Sequence, residues 1–204
     1  MAVWRPEMDN AGTAIKLGGL MTKRLLAVMA GFVLATSVAY ADTGDRKDLQ
    51  VFNDISKAVT RYTHFTVFDN VDAAVKDGVV TLTGQVTMPY KRDDIEKRVA
   101  RIDGVKQVND KITVLPVSQF DDQLRYRIAR AIYTNPNFWN YAIGPNPPIH
   151  IVVDHSHVRL EGVVMNQADK IIANSIASTQ FGVMSVKNNL RTDAEAKDAL
   201  EKAF

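Results

Sequence analysis

The chain contains no cysteine, which excludes disulfide bonds, thiolate metal ligands, cysteine nucleophiles and lipid attachment through a thiol. It also lacks an excess of either charge, with 25 basic and 23 acidic side chains. Nucleic-acid-binding domains usually carry a basic excess on one face, so this balance argues against that class. Aromatic residues make up only 8% of the chain, but 46% of its 204 residues are apolar, which is enough for one or two globular domains.

The N-terminal region has the three-part pattern of a secretory signal peptide. Lys23 and Arg24 precede an apolar run over residues 25–38, which ends at the A-x-A site Ala39-Tyr40-Ala41. The run is short for a transmembrane helix, which needs about 20 apolar residues. We therefore expect a signal peptide over residues 21–41, cleavage after Ala41 and a location in the periplasm. An uncleaved N-terminal anchor is the alternative.

Residues 1–20 do not fit this pattern, because they contain charged residues and no apolar core. Met21 directly precedes the basic start of the signal peptide, so we predict that Met21 is the initiator and that residues 1–20 are a start-site artefact. Residues 1–41 hold four basic and two acidic side chains, and their removal would leave the mature chain with no net charge.

An internal repeat is the strongest pattern in the sequence. Residues 71–86 align with residues 149–164 at a constant offset of 78, whereas the helix that precedes them aligns at an offset of 73. The second copy therefore has about five additional residues between its first helix and first strand, in an aromatic and proline-rich loop over 135–148. Apolar residues alternate as in half-buried strands and recur at helical spacing on either side. The predicted fold is α+β, with two tandem αββαβ modules that each have a small three-stranded sheet packed by two helices.

Glycines occupy positions where the backbone is expected to matter more than a side chain. Gly78 lies in the turn between the first two strands, and Gly104 is expected to end the second helix. Gly84 lies inside a strand, and we expect the second helix to pack across it too closely for a Cβ atom. The predicted structural glycines are Gly78, Gly84, Gly104, Gly162 and Gly182.

The segments Asp77–Val86 and Ile102–Asp110 resemble the BON domain, the repeat of OsmY-like periplasmic proteins. The second copy departs from the pattern at its hairpin turn, where Ser156-His157 replaces Gly78-Val79. The resemblance implies a non-enzymatic role at the cell envelope, with phospholipid or membrane association and without a cofactor. The expected organisation is residues 46–115 and 118–192 for the two domains and residues 193–204 for a helical tail.

Two surfaces are candidates for contact with a partner. The second helix of the first copy is basic and could lie on anionic lipid headgroups, although acids on the same helix could equally neutralise it. The loop over 135–148 carries aromatic residues that could form a contact patch or instead complete the core of the second module. The lipid-binding candidates are Lys91, Arg92, Lys97, Arg98 and Arg101, and the contact-patch candidates are Phe138, Trp139 and Tyr141.

No catalytic or metal centre is predicted. His155 and His157 fall on the second hairpin turn and lack a third ligand nearby. The carboxylate pairs Asp93-Asp94 and Asp121-Asp122 are interpreted as acids in the first turn of a helix. We expect an envelope-maintenance or osmotic-stress protein that contacts anionic phospholipid peripherally. The alternative is a protein-interaction adaptor or chaperone-like binder of envelope proteins.

Overall fold

The computed structural model describes residues 44–144 and 146–204, which form two consecutive αββαβ modules. The predicted α+β fold of tandem modules is therefore confirmed. The predicted signal peptide and the predicted start at Met21 lie outside the described residues. Within the described ranges, no helix has both the length and the apolar character needed to cross a bilayer.

The first module has a mixed three-stranded sheet with β2 in its centre. β1 pairs antiparallel with β2, and β3 pairs parallel with β2 on the other side. Val80, Leu82 and Val86 are completely buried on one face of β2, as their alternation predicts. The elements are α1 (Gly44–Thr60), β1 (Asn70–Lys76), β2 (Val79–Val86), α2 (Pro89–Val99) and β3 (Gln107–Val114).

The second module repeats this order, but its last strand is broken in two. β6 pairs with the first half of β5 and β7 with the second half, and the buried Leu190 lies between β6 and β7. The predicted tail helix begins directly after β7 with a capping box between Thr192 and Glu195. The elements are α3 (Gln119–Tyr133), a 3₁₀ turn (Pro136–Phe138), α4 (Trp139–Ala142), β4 (Ile149–Asp154), β5 (His157–Val164), α5 (Gln167–Ser178), β6 (Ser185–Asn188), β7 (Arg191–Thr192) and α6 (Asp193–Ala203).

Each hairpin turn is held by a carboxylate from the first helix of its module. Asp48 accepts hydrogen bonds from both amides of the turn Asp77-Gly78, and Asp121 does the same for His155-Ser156. All four turn residues have positive φ, as a two-residue type I′ turn requires. Asp121 is thus more than a first-turn acid, because its buried carboxylate fixes the distant turn.

The reason predicted for the glycine inside β2 is wrong. A Cβ atom on Gly84 would lie 2.1 Å from the carbonyl oxygen of Asn70 in the neighbouring strand, and φ at Gly84 is +122°. The close approach therefore comes from the paired strand and not from the second helix. Gly104 also differs from its expectation, because α2 ends at Val99, five residues earlier.

Ser156 offers a test of the turn geometry. Its φ of +66° is unfavourable for a residue with a side chain, whereas Gly78 occupies the same place in the first module. We predict that Ser156→Gly raises the free energy of unfolding by about 1 kcal/mol and Tm by about 2–4 °C. The control Ser175→Gly, within α5, should lower stability by about the same amount because its backbone is helical. A loss of stability in Ser156→Gly would contradict the described turn.

Candidate functional site

A buried carboxylate organises the first module beneath its predicted lipid-binding helix. Asp69 is completely buried and accepts five hydrogen bonds, from the amide and hydroxyl groups of Thr66 and Thr87 and from the ammonium group of Lys91 at 2.7 Å. Lys91 is only 5% exposed. The prediction that Lys91 faces lipid is therefore wrong, because its charge compensates Asp69 inside the module.

The ionisation of Asp69 reflects this arrangement. Burial alone would raise the pKa of the carboxyl group, but the hydrogen bonds from Lys91, Thr87 and Thr66 outweigh it and hold the pKa below its ordinary value of 3.8. Since the folded state has the lower pKa, this group stabilises the fold at neutral pH. Its contribution is lost as the pH falls through the folded-state pKa.

We call the place where the second strand of a module ends and its second helix begins the junction. The junction of the second module has different chemistry and is built around Tyr141. At the offset of 78, Met165 is equivalent to Thr87 and Asp169 is equivalent to Lys91. The amide of Met165 donates to the Tyr141 hydroxyl oxygen at 2.8 Å, and the hydroxyl donates to Asp169. Burial, assisted by the hydrogen bond to Asp169, raises the pKa of Tyr141 to about 12. Tyr141 therefore has a structural role.

The aromatic loop is divided between the core and the surface. Phe138 is completely buried and Tyr141 is 7% exposed, with their ring centroids 5.7 Å apart. The contact-patch interpretation is therefore wrong for these two residues, and the alternative that they complete the core is correct for them. Trp139 is 65% exposed and remains available for contact.

The remaining basic candidates on and after α2 differ in availability. Arg92 donates to Asp110 at 2.6 Å, and this hydrogen bond raises the pKa of the guanidinium group. The guanidinium group of Arg98 lies 4.6 Å from the ring centroid of Tyr62 but remains exposed. Lys97 and Arg101 are also exposed and make no ion pair with any residue that the structure describes. Three of the five candidates, Lys97, Arg98 and Arg101, are therefore exposed and without an ion pair among the described residues.

The expected neutralisation of this surface by acids on the same helix is not seen among the described residues. Asp94 instead accepts a hydrogen bond of 2.6 Å from the hydroxyl group of Tyr62. Together with burial, this interaction raises the pKa of Tyr62. The positive charge at the C-terminal end of α2 therefore has no acidic partner on the helix itself.

Sequence reasoning missed an exposed apolar cluster at the turn end of the second module. Phe181 and Met184 are 82% and 75% exposed, and Phe120 is 46% exposed. The Phe120 ring lies directly on Gly182, where an added Cβ atom would be 2.7 Å from the ring. We call Phe120, Phe181 and Met184 the turn-end cluster. Comparison of the two copies could have found it, since the equivalent residues of the first module are all charged: Lys47, Asp103 and Lys106.

The histidines of the second hairpin have local partners. His155 Nδ1 lies beside the Asp154 carboxylate, and His157 Nδ1 lies 2.7 Å from the Ser185 hydroxyl group. Across residues 44–144 and 146–204, no three histidine or acidic side chains come together in a way that would hold a metal ion. His150 is separate from them, because its Nδ1 contacts the backbone oxygen of Asp69 at 2.6 Å.

Substitution of Lys91 tests the buried junction. We predict that Lys91→Met lowers the free energy of unfolding by about 3 kcal/mol at pH 7, because it leaves Asp69 buried without its cation. Lys97→Met, the exposed control, should change stability by less than about 0.5 kcal/mol. Urea unfolding from pH 7 to pH 3 measures both effects. The deficit of Lys91→Met should shrink in acid as Asp69 is protonated, and a deficit independent of pH would contradict the assignment.

Comparisons with known proteins match this arrangement of two modules. The family model described as BON domain matches residues 54–116 and 121–194, more than half of the chain. The chain is 29% identical over 194 residues to Osmotically-inducible protein Y of Escherichia coli strain K12, covering 84% of this chain and 96% of that protein.

Two structures of CdsD, a structural protein of the type III secretion system of Chlamydia trachomatis, are also similar, at 13% and 14% identity with TM-scores of 0.30 and 0.29. The matches cover 70% and 77% of this chain and 65% and 69% of those chains. On the double match to the family model, the chain belongs to the BON domain family and carries two copies of the domain.

Proposed function

We propose that this chain is a non-enzymatic periplasmic protein of envelope maintenance and osmotic-stress protection that acts by weak association with anionic membrane phospholipid. The similarity to a protein named for osmotic induction supports the stress role. The signal-peptide pattern over residues 21–41 supports the periplasmic location.

The observation that carries the lipid contact is the exposed positive charge of Lys97, Arg98 and Arg101. A basic residue near an anionic membrane surface contributes about 1 kcal/mol, so three residues contribute about 3 kcal/mol. This magnitude corresponds to weak and reversible association rather than stable anchoring. Because Lys91 is buried, the proposed surface is smaller than the sequence predicted and consists of residues at and after the C-terminal end of α2.

The turn-end cluster supports a second, apolar contribution. Phenylalanine and methionine side chains exposed to this degree usually mark a contact site when several lie together. Insertion into the interfacial region of a bilayer would remove part of their apolar surface from water. This contribution would not depend on salt, which distinguishes it from the contribution of the basic residues.

Neutralising the exposed basic residues tests the electrostatic contribution. We predict that Lys97→Gln combined with Arg101→Gln weakens binding to phosphatidylglycerol vesicles about 30-fold, from about 1 kcal/mol per residue. Lys197→Gln combined with Lys202→Gln makes the same charge change on α6 and should have little effect. Vesicle flotation at several salt concentrations measures both pairs. Equal losses in the two pairs, or binding insensitive to salt, would remove the electrostatic mechanism.

Polar substitution of the turn-end cluster tests the apolar contribution. Phe181→Ser combined with Met184→Ser should weaken binding to anionic and to zwitterionic vesicles by about tenfold, because two partly inserted side chains are lost. The dependence of binding on salt should stay unchanged. The control is Ile143→Ser, at an equally exposed apolar residue outside the cluster. Unchanged vesicle binding by the double variant would exclude the cluster from the lipid contact.

A further inference from the structure

An apolar groove of about 680 Å³ follows the outer edge of β1. The two modules belong to one compact unit, and α6 from the end of the chain lies across the groove from α1. Phe52 of α1 and Phe204 close part of it, with ring centroids 5.5 Å apart. The α6 residues that line it are mostly small: Ala196, Ala199, Leu200 and Ala203.

The floor of the groove carries backbone groups that have no partner in the part of the chain that the structure describes. The two-residue turn makes Lys76 and Val79 a hydrogen-bonded pair, so alternate residues of β1 point their amide and carbonyl groups away from β2. These residues are Val71, Ala73 and Val75. None of them makes a backbone hydrogen bond at this edge to any residue in 44–144 or 146–204. An occupant that fits must therefore offer donors and acceptors as well as apolar surface.

The second module shows what this edge accepts. Ile151 in β4 is equivalent to Ala73 at the offset of 78. Its amide donates to the carbonyl oxygen of Val67 at 2.6 Å, so main chain from the first module pairs with that edge at one residue. The outward carbonyl groups of Ile149 and Val153 accept hydrogen bonds from the side chains of Tyr133 and Arg125. The corresponding edge of the first module has the groove in this place. Polypeptide backbone is thus the occupant for which the structure itself provides an example.

The size of the groove fits a short strand. Five extended residues span about 17 Å, and a strand in a packed sheet occupies about 4.8 Å by 10 Å in cross-section. These dimensions give about 800 Å³, close to the volume of the groove. An acyl chain could fill the same space, but it would leave the amide and carbonyl groups of β1 unpaired.

We propose that this groove binds an extended segment of another polypeptide, about five residues long with small apolar side chains at alternate positions, which pairs with β1. The segment gains main-chain hydrogen bonds from Val71, Ala73 and Val75 and buries its apolar side chains between α1 and α6. This function goes beyond the proposed lipid contact and uses none of the residues assigned to that contact.

The test uses a fluorescent peptide with the sequence Lys-Lys-Thr-Val-Thr-Val-Thr-Lys-Lys and measures the change in its fluorescence anisotropy when the full-length protein is added. Ala73→Pro removes the outward amide without removing a hydrogen bond to β2, which an edge strand tolerates. It should weaken binding at least tenfold. Ala73→Ser keeps the amide and should bind within twofold of the parent. N-methylation of the two valines of the peptide should also weaken binding at least tenfold.

The proposal would be overturned if folded Ala73→Pro bound the peptide as well as the parent, or if the N-methylated peptide bound equally well. It would also be overturned if the protein bound palmitate but not the peptide, with palmitate binding lost in Ala199→Trp. Circular dichroism reports whether Ala73→Pro folds, and the N-methylated peptide gives a test on the parent chain if it does not. Dimerisation through β1 that Ala73→Pro abolishes, without peptide binding, would also overturn it. The variant Lys97→Gln with Arg101→Gln should bind peptide normally, which separates this test from that of the lipid contact.

Discussion

The buried carboxylate of Asp69 is the interaction on which the first module and its contact with the second depend. Its oxygens hold the loop before β1, the end of β2 and the start of α2 in one network. The backbone oxygen of Asp69 also contacts His150 of β4. A buried carboxylate without these partners would cost several kcal/mol, so the elements must be placed together. The basic side chains of α2 that remain exposed are therefore those that follow Lys91 in the sequence.

The two modules keep one backbone and differ in the chemistry placed on it. A carboxylate and a lysine form the junction of the first module, whereas Tyr141 and Asp169 form that of the second. The additional aromatic loop of the second copy supplies Tyr141. The turn end is charged in one module and apolar in the other. The two copies thus present two chemically different surfaces.

Most of the fold could be predicted from the sequence, because the period of the strands is a property of neighbouring residues and the offset of 78 repeats the same pattern in the second copy. The pairs Val71–Gly84 and Ile149–Gly162 occupy the same register in the two sheets, as that offset requires. The site was less predictable. Burial of Lys91 depends on Asp69, 22 residues away, and burial of Tyr141 depends on Asp169, 28 residues away. The groove depends on α6 crossing from the second module, which no periodicity encodes.

Titration of Asp69 tests this account most directly. Nuclear magnetic resonance of its side-chain carboxyl carbon, followed from pH 7 to acid, measures the pKa of the group in the folded chain. The account predicts a midpoint below 3.8, because the hydrogen bonds from Lys91 and the threonines outweigh burial. A midpoint above 3.8 would show that the carboxylate lacks these partners, and would contradict both the junction and the placement of Lys91 inside the module.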